Sequence, residues 1–355
     1  MNALQAVHAV LPAGLDDPAR PSGGNVYDRR VLDGLRGRGH AVIEHEVAGE
    51  WPIPGLDDVR RLGDVLATFP DGAVVLVDGL LASGAAAALP HEAGRLRLVV
   101  LMHMPMGPDR GEELVLTAAA AVVTTSGWSR DRLHDWYGLR HLDVALPGVD
   151  PVGPTVRHGD AGGTSLLCVA AVHPGKGLDL LLEALSSLGD RAWTLTCVGS
   201  LDVDPGHVAS VQTQVYARSW ERRVLFTGPL SAAALAAAYD AADLLVLPSR
   251  AESYGMVVAE ALAHGLPVVA TAVGGVPEAL AGPEPDGAVP GLLVPPEDPD
   301  ALARALGAWL DDPGLRRRLA QHADRRRPAL RSWDATVADV EAVLVRVASR
   351  TGVRR

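Results

Sequence analysis

Short apolar runs recur along the whole sequence, and stretches with helical spacing separate them. Ala73–Asp78 and Leu98–Met102 are examples from the first half. Runs this short and continuously apolar are typical of strands buried on both faces of a parallel sheet. A polar, Gly-rich stretch at 154–164 interrupts the pattern, and a second series starts at Leu166. We therefore expect an α/β fold with two doubly wound parallel sheets. Further strands are expected at 3–11, 41–46, 121–125, 166–172, 194–198, 224–226, 244–247, 267–272 and 292–294.

Length and composition favour two domains. A chain of 355 residues is long for a single core. Its hydrophobic content of 48% includes few aromatic residues, 4% of the chain, so the cores must be built mainly from Ala, Val and Leu, as in α/β layers. We place the domains at 1–155 and 164–330, and expect a final helix, Trp333–Val347, within 331–355.

Charge and targeting signals exclude several classes of partner. The net charge of −11 argues against non-specific nucleic-acid binding and against attraction to anionic lipid. Neither a signal peptide nor an uninterrupted apolar stretch of membrane-spanning length is visible, so we expect a cytoplasmic protein without membrane insertion. The two cysteines, Cys168 and Cys197, lie in strand-like runs and are expected to be buried thiols.

The segment 248–267 is the most informative part of the chain for function. Pro248 ends an apolar strand, and an apolar helix follows from Gly255 to its stop at Gly265. The N-terminus of such a helix presents unpaired N–H groups and the positive end of the helix dipole, which together suit a phosphate. These N–H groups belong to Gly255, Met256 and Val257.

Two carboxylates flank this helix start. Glu252 lies just before it and Glu260 lies within the helix, so both can face one ligand. A carboxylate accepts two hydroxyl donors at once, which suits the vicinal diols of sugars. The alternative for each residue alone is structural: Glu252 as an acid favoured by the helix dipole and Glu260 as a solvated position. For the pair in this context we favour ligand binding.

The same residues resemble a known family. Glu252-x7-Glu260, within Pro-Ser-Arg-x-Glu-Ser-Tyr-Gly-Met-Val-Val-x-Glu-Ala-Leu-Ala-x-Gly-Leu-Pro, is similar to the signature of retaining glycosyltransferases of family 4. The resemblance covers nearly the whole chain. It implies the GT-B fold, with two facing Rossmann-like domains, an interdomain ligand cleft, and a C-terminal helix in 331–355 that crosses back to the N-terminal domain.

Lys176 follows the first strand of the second series in a Lys-Gly sequence that resembles the family motif. An ammonium group there can neutralise a diphosphate and stabilise the charge that builds on it as the sugar leaves. The family usually has an Arg five or six positions earlier, whereas this chain has Ala170 and Ala171. Either Lys176 and backbone amides suffice, or another residue such as His173 or Arg250 substitutes.

The loop after the first strand contains Pro21-Ser-Gly-Gly-Asn25 immediately before a helix. Gly23 and Gly24 allow the backbone to approach an anion, and in the family this loop covers the donor diphosphate. The rival interpretation is a dinucleotide-binding fingerprint with Glu44 or Glu46 as its acid. Its Gly-x-Gly-x-x-Gly spacing is absent, which excludes the dehydrogenase alternative.

Three further positions have weaker signals. His103 follows a strand and matches the family histidine, which implies a hydrogen bond to the transferred sugar, although a lone His is usually structural. Leu230, after Thr227-Gly228, is expected near the nucleobase by resemblance alone. Asp202-Val-Asp204 imitates a metal motif of another glycosyltransferase class without an accompanying His or third acid, so we predict no metal.

The sequence therefore predicts an enzyme that moves a sugar from a nucleotide-diphosphate-sugar to an acceptor hydroxyl, with retention and without a cofactor. Lys176, Glu252 and His103 are the predicted catalytic residues, and the acceptor is expected to be a small molecule. The alternatives are a GT-B epimerase or phosphorylase, and a nucleotide-sugar-binding protein without catalysis. The remaining donor-binding residues are predicted to be Gly23, Gly24, Leu230, Gly255, Met256, Val257 and Glu260.

Overall fold

The structure is a computed structural model, and it describes residues 6–19, 21–153, 162–281 and 289–349. The chain divides into two compact units. Unit 1 comprises the described residues within 1–16, 23–148 and 331–355, and unit 2 those within 17–22 and 149–330. Most of the predicted linker, 154–164, lies outside the described residues.

Unit 1 contains a six-stranded parallel sheet in the order β2-β1-β3-β4-β5-β6. This order reverses direction in the sheet between β1 and β3, the place where doubly wound folds bind ligands. The strands are β1 (Val7–Pro12), β2 (Val42–Val47), β3 (Val74–Asp78), β4 (Arg97–Met102), β5 (Ala121–Thr124) and β6 (Leu142–Val144). The helices are α1 (Gly23–Gly37), α2 (Leu56–Ala67), α3 (Gly79–Gly84), α4 (Leu89–Glu92), α5 (Arg110–Ala118) and α6 (Gly127–Tyr137).

Unit 2 has a second six-stranded parallel sheet in the order β12-β11-β10-β7-β8-β9, which reverses between β7 and β10. Its strands are β7 (Ser165–Val169), β8 (Thr194–Val198), β9 (Val224–Gly228), β10 (Leu244–Leu247), β11 (Val268–Thr271) and β12 (Gly291–Val294). Its helices are α7 (Leu178–Ser186), α8 (Pro205–Ala217), α9 (Ala232–Ala241), α10 (Met256–Ala263), α11 (Val276–Leu280), α12 (Pro299–Asp311) and α13 (Pro313–Arg326), and Pro174–Lys176 and Arg327–Ala329 form 3₁₀ turns.

Both sheets are covered on two faces, as their continuously apolar strands predict. In β1, Val10 packs into one core while Val7, Ala9 and Leu11 pack into another on the opposite face. Cys168 and Cys197 are buried free thiols in the core of unit 2. The predicted α/β class with two doubly wound parallel sheets is confirmed.

The last helix, α14 (Trp333–Ser349), belongs to unit 1, although all the described residues between 149 and 330 belong to unit 2. Its apolar face, which includes Val337 and Leu344, lies in the core of unit 1 with residues of α1. The side chain of Val337 occupies the space beside Gly34, where a Cβ atom would lie 2.3 Å from it. Arg38 pairs with Asp334 and Glu341 at 2.7 Å each.

Candidate active site

Two predicted site residues meet at the strand-order reversal of unit 2. Lys176 follows β7 and Glu252 follows β10, and these neighbouring parallel strands end at the same edge of the sheet. The Lys176 Nζ atom lies 2.6 Å from Glu252 Oε1. The carboxyl ends of strands at such a reversal form the usual ligand crevice of open α/β sheets. The predicted diphosphate cation and sugar carboxylate are therefore neighbours in the expected place.

The Lys176–Glu252 pair is only partly buried. The side chains are 24% and 11% exposed, and the Ser249 hydroxyl donates to the same Glu252 oxygen over 2.7 Å. The pair is therefore accessible to a ligand but partly shielded from water. A ligand with phosphate oxygens for Lys176 and hydroxyl donors for Glu252 can replace the contact between the two side chains.

Glycines allow the loops of this site to pack backbone against backbone. At Gly177, with φ of +65°, a Cβ atom would lie 2.0 Å from the carbonyl oxygen of Pro248. At Gly274, with φ of +53°, it would lie 1.5 Å from the carbonyl oxygen of Glu252. Both positions therefore require glycine for two reasons, conformation and space. They fix the loops that carry Lys176 and Glu252.

The helix start at which the sequence predicts anion binding is present. Gly255 has φ of +88° and caps α10, which begins at Met256 and ends before Gly265. Gly255 is buried, whereas Met256 and Val257 are partly exposed. The first N–H groups of any helix have no partner within it, so this tip offers donors beside the loop of Glu252.

Glu260 has a partner that sequence reasoning missed. The Tyr239 hydroxyl, from α9, donates to Glu260 Oε2 over 2.8 Å. The Tyr239 ring is 2% exposed and stacks on His264 with ring centroids 5.1 Å apart. Burial, followed by the charge of Glu260, raises the pKa of Tyr239, so its hydroxyl remains a proton donor to the carboxylate.

The remaining predictions in unit 2 have simple structural outcomes. Leu230 lies just beyond the end of β9, partly buried, and its role at the nucleobase stays a prediction. Asp204 caps α8 by accepting a hydrogen bond of 2.9 Å from the His207 N–H, which explains one acid of the Asp-x-Asp sequence without a metal.

Arg250, considered above as a substitute for the missing arginine, is occupied. Its guanidinium binds both carboxylate oxygens of Asp179 at 2.8 and 2.9 Å, and its Nε atom lies 2.5 Å from Glu297. It also donates to the carbonyl of Pro174, and its backbone N–H donates to the carbonyl of Gly175. Arg250 therefore holds the backbone of the turn that carries Lys176.

The other suggested substitute, His173, is also disfavoured. Its Nδ1 accepts a hydrogen bond from the Gly175 N–H over 3.2 Å. Burial lowers the pKa of His173, and the positive charge of Lys176 lowers it further. A neutral imidazole committed to its own loop is a poor second cation for a diphosphate.

Unit 1 brings together two other predicted residues. Gly23 begins α1, and a Cβ atom at Gly24 would lie 3.3 Å from Cδ2 of His103. Gly24 therefore lets the start of α1 approach the imidazole ring. His103 follows β4, at the edge of the sheet where the ligand crevice of this fold class is expected.

His103 is held by two aspartates that sequence reasoning missed. Its Nε2 atom lies 2.8 Å from Asp28 Oδ1 and 3.4 Å from Asp78 Oδ2. Asp28 is 0% and Asp78 4% exposed. Burial lowers the pKa of His103, but the charges and hydrogen bonds of the aspartates outweigh this and raise it to about 10. Burial raises the pKa of the Asp28 carboxyl to about 7, against the opposing effect of His103.

These aspartates had recognisable signals. Asp28 lies on the face of α1 that is otherwise buried and apolar, with Val31 and Leu32 one turn later and Leu35 two turns later. Asp78 is the last residue of β3, a common position for functional side chains in α/β sheets. Ligand atoms of Asp28, Asp78 and His103 all lie within 4.8 Å of one another, so this cluster also has the composition of a metal site. The metal-independent prediction stays a prediction.

Comparison with known proteins identifies the class. Residues 163–312 match the family described as "Glycosyl transferases group 1". This match, which lies in unit 2, confirms the resemblance at the level of the glycosyltransferase group.

A "D-inositol 3-phosphate glycosyltransferase" of Jonesia denitrificans is 32% identical over 256 residues, which are 66% of this chain and 59% of that protein. The chain spans about three fifths of the length of curated relatives that it matches.

Solved structures show the fold. A sucrose-phosphate synthase from Thermosynechococcus elongatus superposes with a TM-score of 0.77 at 22% identity, covering 98% of this chain and 100% of that one. Anabaena Alr3699/HepE, solved in complex with UDP and glucose, gives a TM-score of 0.73 at 19% identity, covering 96% and 99%. The GT-B fold class predicted from the sequence is therefore confirmed. No helix in the described part of the chain is long and apolar enough to cross a bilayer.

Proposed function

We propose that the chain is a glycosyltransferase that moves a sugar from a nucleotide-diphosphate-sugar to an acceptor hydroxyl, with retention at the anomeric carbon. The observation that carries this proposal is the Lys176–Glu252 pair, at 2.6 Å, at the strand-order reversal of the unit that matches the glycosyltransferase family. The pair combines a cation for a leaving diphosphate with an acceptor for sugar hydroxyls.

In this mechanism the oxygens of the donor diphosphate replace the Glu252 carboxylate as the partner of Lys176. The ammonium group and the N–H groups at the start of α10 then stabilise the charge that grows on the leaving phosphate. Glu252 binds and orients the sugar, and Glu260, held by Tyr239, binds the ribose of the nucleotide. The leaving phosphate accepts the proton of the acceptor hydroxyl on the same face of an oxocarbenium-like sugar. No cofactor enters these steps, and the acceptor is a small molecule.

The comparisons suggest the first substrates to try. HepE was solved with UDP and glucose, and the curated relatives are named for D-inositol 3-phosphate. We therefore propose to screen UDP- and GDP-sugars against inositol phosphates and other small polyols. Product mass and the anomeric proton coupling by NMR establish transfer and its stereochemistry.

The test of the proposal is Glu252→Gln, which keeps the shape of the side chain and removes its charge. We expect kcat to fall about 100-fold or more, because orientation and charge at the reacting centre are both affected. The control is Glu221→Gln, at an exposed position before β9. Nearly normal transfer by Glu252→Gln, with unchanged thermal stability, contradicts the proposal.

A second candidate is a nucleotide-sugar-binding protein without catalysis. The observation in its favour is the alanine pair, Ala170 and Ala171, where the family carries a cation, together with the commitment of Arg250 to Asp179 and Glu297. Calorimetric binding of UDP without any product across the donor and acceptor panel supports this candidate. Release of nucleoside diphosphate only when acceptor is present supports a transferase over an epimerase or phosphorylase.

A further inference from the structure

Arg250 joins three loops at the carboxyl edge of the sheet in unit 2. It follows β10, and its guanidinium contacts Asp179 in the first turn of α7 and Glu297 in the loop after β12. The Arg250 side chain is 26% exposed, and ion pairs with this much access to solvent contribute little to the stability of a fold. A stabilising role alone therefore does not account for an arginine that is bound to three separate loops.

The contacts of Arg250 use the shape of its guanidinium group. Two nitrogens of the group bind both Asp179 oxygens at 2.8 and 2.9 Å, while Nε lies 2.5 Å from Glu297 Oε1. A planar fork of donors can make these contacts together, whereas the single ammonium group of a lysine cannot. Glu297 has φ of +54°, in the left-handed region that residues with a side chain rarely adopt. Its loop therefore keeps an unfavourable backbone conformation in which the carboxylate meets Arg250.

The turn 173–177, which carries Lys176, is held by the same arginine. The Arg250 guanidinium donates to the carbonyl of Pro174, and the Arg250 backbone N–H donates to the carbonyl of Gly175 over 2.9 Å. These carbonyls belong to the two residues directly before Lys176. Because the orientation of these peptide groups sets the point from which the lysine side chain extends, Arg250 determines where the ammonium group can lie.

Arg250 also compensates negative charge on the same loop. Asp179 lies three residues after Lys176. Burial raises the pKa of Asp179, but the hydrogen bonds and the charge of Arg250 outweigh this and lower it, so the carboxylate stays ionised. Without Arg250, the loop that presents a cation to an anionic ligand would also present an uncompensated anion.

We infer that Arg250 is a positioning residue for Lys176: anchored by Asp179 and Glu297, it fixes the turn from which the ammonium group reaches the diphosphate. This inference rests on the proposed function. It gives the arginine of the Pro-Ser-Arg sequence a part in the rate of transfer without any contact with the substrate. Arg250 touches no reacting atom and acts through Lys176.

The experiment is a cycle of Arg250→Met and Lys176→Met in the full chain. Methionine keeps an apolar stem at each position and removes the charge. We expect Arg250→Met alone to lower kcat about 10- to 100-fold, because a displacement of about 1 Å in a catalytic group is enough for a loss of this size. In the Lys176→Met chain the same change should lower kcat less than about threefold, since Arg250 acts only through Lys176.

Two measurements do not require transfer. Amide hydrogen exchange in the segment 173–177 should become about tenfold faster in Arg250→Met, because the turn loses its guanidinium contact. The Kd of UDP, measured by calorimetry, should rise about three- to tenfold in Arg250→Met. The same substitution made in the Lys176→Met chain should leave the Kd of UDP unchanged.

Two further variants keep the test decisive. Arg191→Met is the matched control, because Arg191 binds both oxygens of Asp311 in a similar fork but lies just before β8, at the opposite edge of the same sheet. It should change neither kcat, nor exchange in 173–177, nor the Kd of UDP. Arg250→Lys keeps the charge without the fork and should have a kcat between those of wild type and Arg250→Met. It takes the place of Arg250→Met in the cycle if that variant does not fold.

Additive losses of kcat or of UDP affinity in the double variant would overturn the inference, because Arg250 would then act independently of Lys176. Unchanged kcat and unchanged exchange in Arg250→Met would overturn it as well. A wild-type chain that transfers no sugar contradicts the proposed function, and the exchange and UDP measurements then decide separately whether Arg250 positions Lys176.

Discussion

Each unit carries a charged cluster at the reversal of its strand order, and the two clusters are built in opposite ways. In unit 2, Lys176 and Glu252 form one partly exposed ion pair of one cation and one anion. In unit 1, two buried carboxyl groups hold one nitrogen of a partly exposed imidazole, at 2.8 and 3.4 Å. A ligand can separate an accessible ion pair if it offers an anionic group to the lysine and hydrogen-bond donors to the glutamate. Two carboxyl groups shielded from water are not accessible to a ligand in this way, and here they restrain a single imidazole.

The contacts that hold the two clusters in place also differ. In unit 2 they hold the loops, and in unit 1 they hold the side chain itself. The loops of unit 2 are held by backbone contacts at Gly177 and Gly274 and by the Arg250 bridge to Asp179, none of which restricts the tip of Lys176. In unit 1 the restraint acts on the functional ring itself. Under the proposed function, the comparison means that unit 2 exchanges partners with a ligand, whereas unit 1 presents a single prearranged group.

The largest expected effect tests the exchange in unit 2. Lys176→Met keeps an apolar stem and removes the cation, and we expect kcat to fall about 1000-fold, because neither Arg250 nor His173 is placed to replace the charge. Release of nucleoside diphosphate measures it. Lys176→Arg is the matched control and should retain more activity than Lys176→Met. Equal loss in both variants would show that geometry, and not charge, is what Lys176 contributes.

The second prediction, of intermediate size, concerns the cluster Asp28–His103–Asp78 of unit 1 and the pH dependence of thermal stability. The pKa of His103 is raised to about 10 by Asp28 and Asp78 against burial. A raised pKa stabilises the fold fully below the unfolded value of about 6.5, and that contribution is lost as pH rises through about 10. The pKa of Asp28 is also raised, to about 7, so its contribution to the stability of the fold is likewise lost as the pH rises towards 7. Wild-type Tm should therefore fall between pH 7 and pH 10.

His103→Gln isolates the part of this slope that belongs to the imidazole. We expect the Tm difference between wild type and His103→Gln to shrink from pH 7 to pH 10 by several degrees. The other groups that face the ring, Asp28, Asp78 and Tyr27, remain in both proteins. A difference that is constant across this range would mean that His103 is neutral in the folded protein and that unit 1 carries no fixed cation.

The smallest expected effect concerns the second glutamate of unit 2. Tyr239→Phe removes the hydroxyl that donates to Glu260 over 2.8 Å and leaves the ring that stacks on His264. We expect the Kd of UDP to rise about tenfold, since one hydrogen bond to a charged group is lost. Tyr216→Phe, exposed on α8, is the control. Unchanged UDP affinity in Tyr239→Phe would remove Glu260 from the proposed nucleotide site.

Much of the fold could be predicted from the sequence, because continuous apolar runs and Gly or Pro stops are local signals. The helix after Gly255 was expected and begins at Met256, and the strand expected at 244–247 is β10. β6 was missed, since a strand of three residues, Leu142–Val144, leaves almost no pattern. The last helix was expected to end at Val347 and ends at Ser349.

The site was less predictable, because partners lie far apart in the sequence. Lys176 and Glu252 could each be recognised by the motif around them, but their contact depends on the pairing of β7 with β10. Arg250 is a possible second cation for the diphosphate by sequence, but Asp179, 71 residues away, binds its guanidinium. Asp28 was missed, although the apolar spacing around it in α1 is a local signal of burial; its partner, an imidazole 75 residues later, has no such signal.

The return of α14 to unit 1 has a consequence for the order of events during synthesis. The described residues of 149–330 leave the ribosome before α14 does, so unit 2 can complete its sheet while the core of unit 1 still lacks the helix that places Val337 beside Gly34. Domains that emerge first usually fold first. The sheet of unit 1 can cover one side of α1 early, but the surface around Gly34 that α14 covers stays exposed until a whole further domain has been translated.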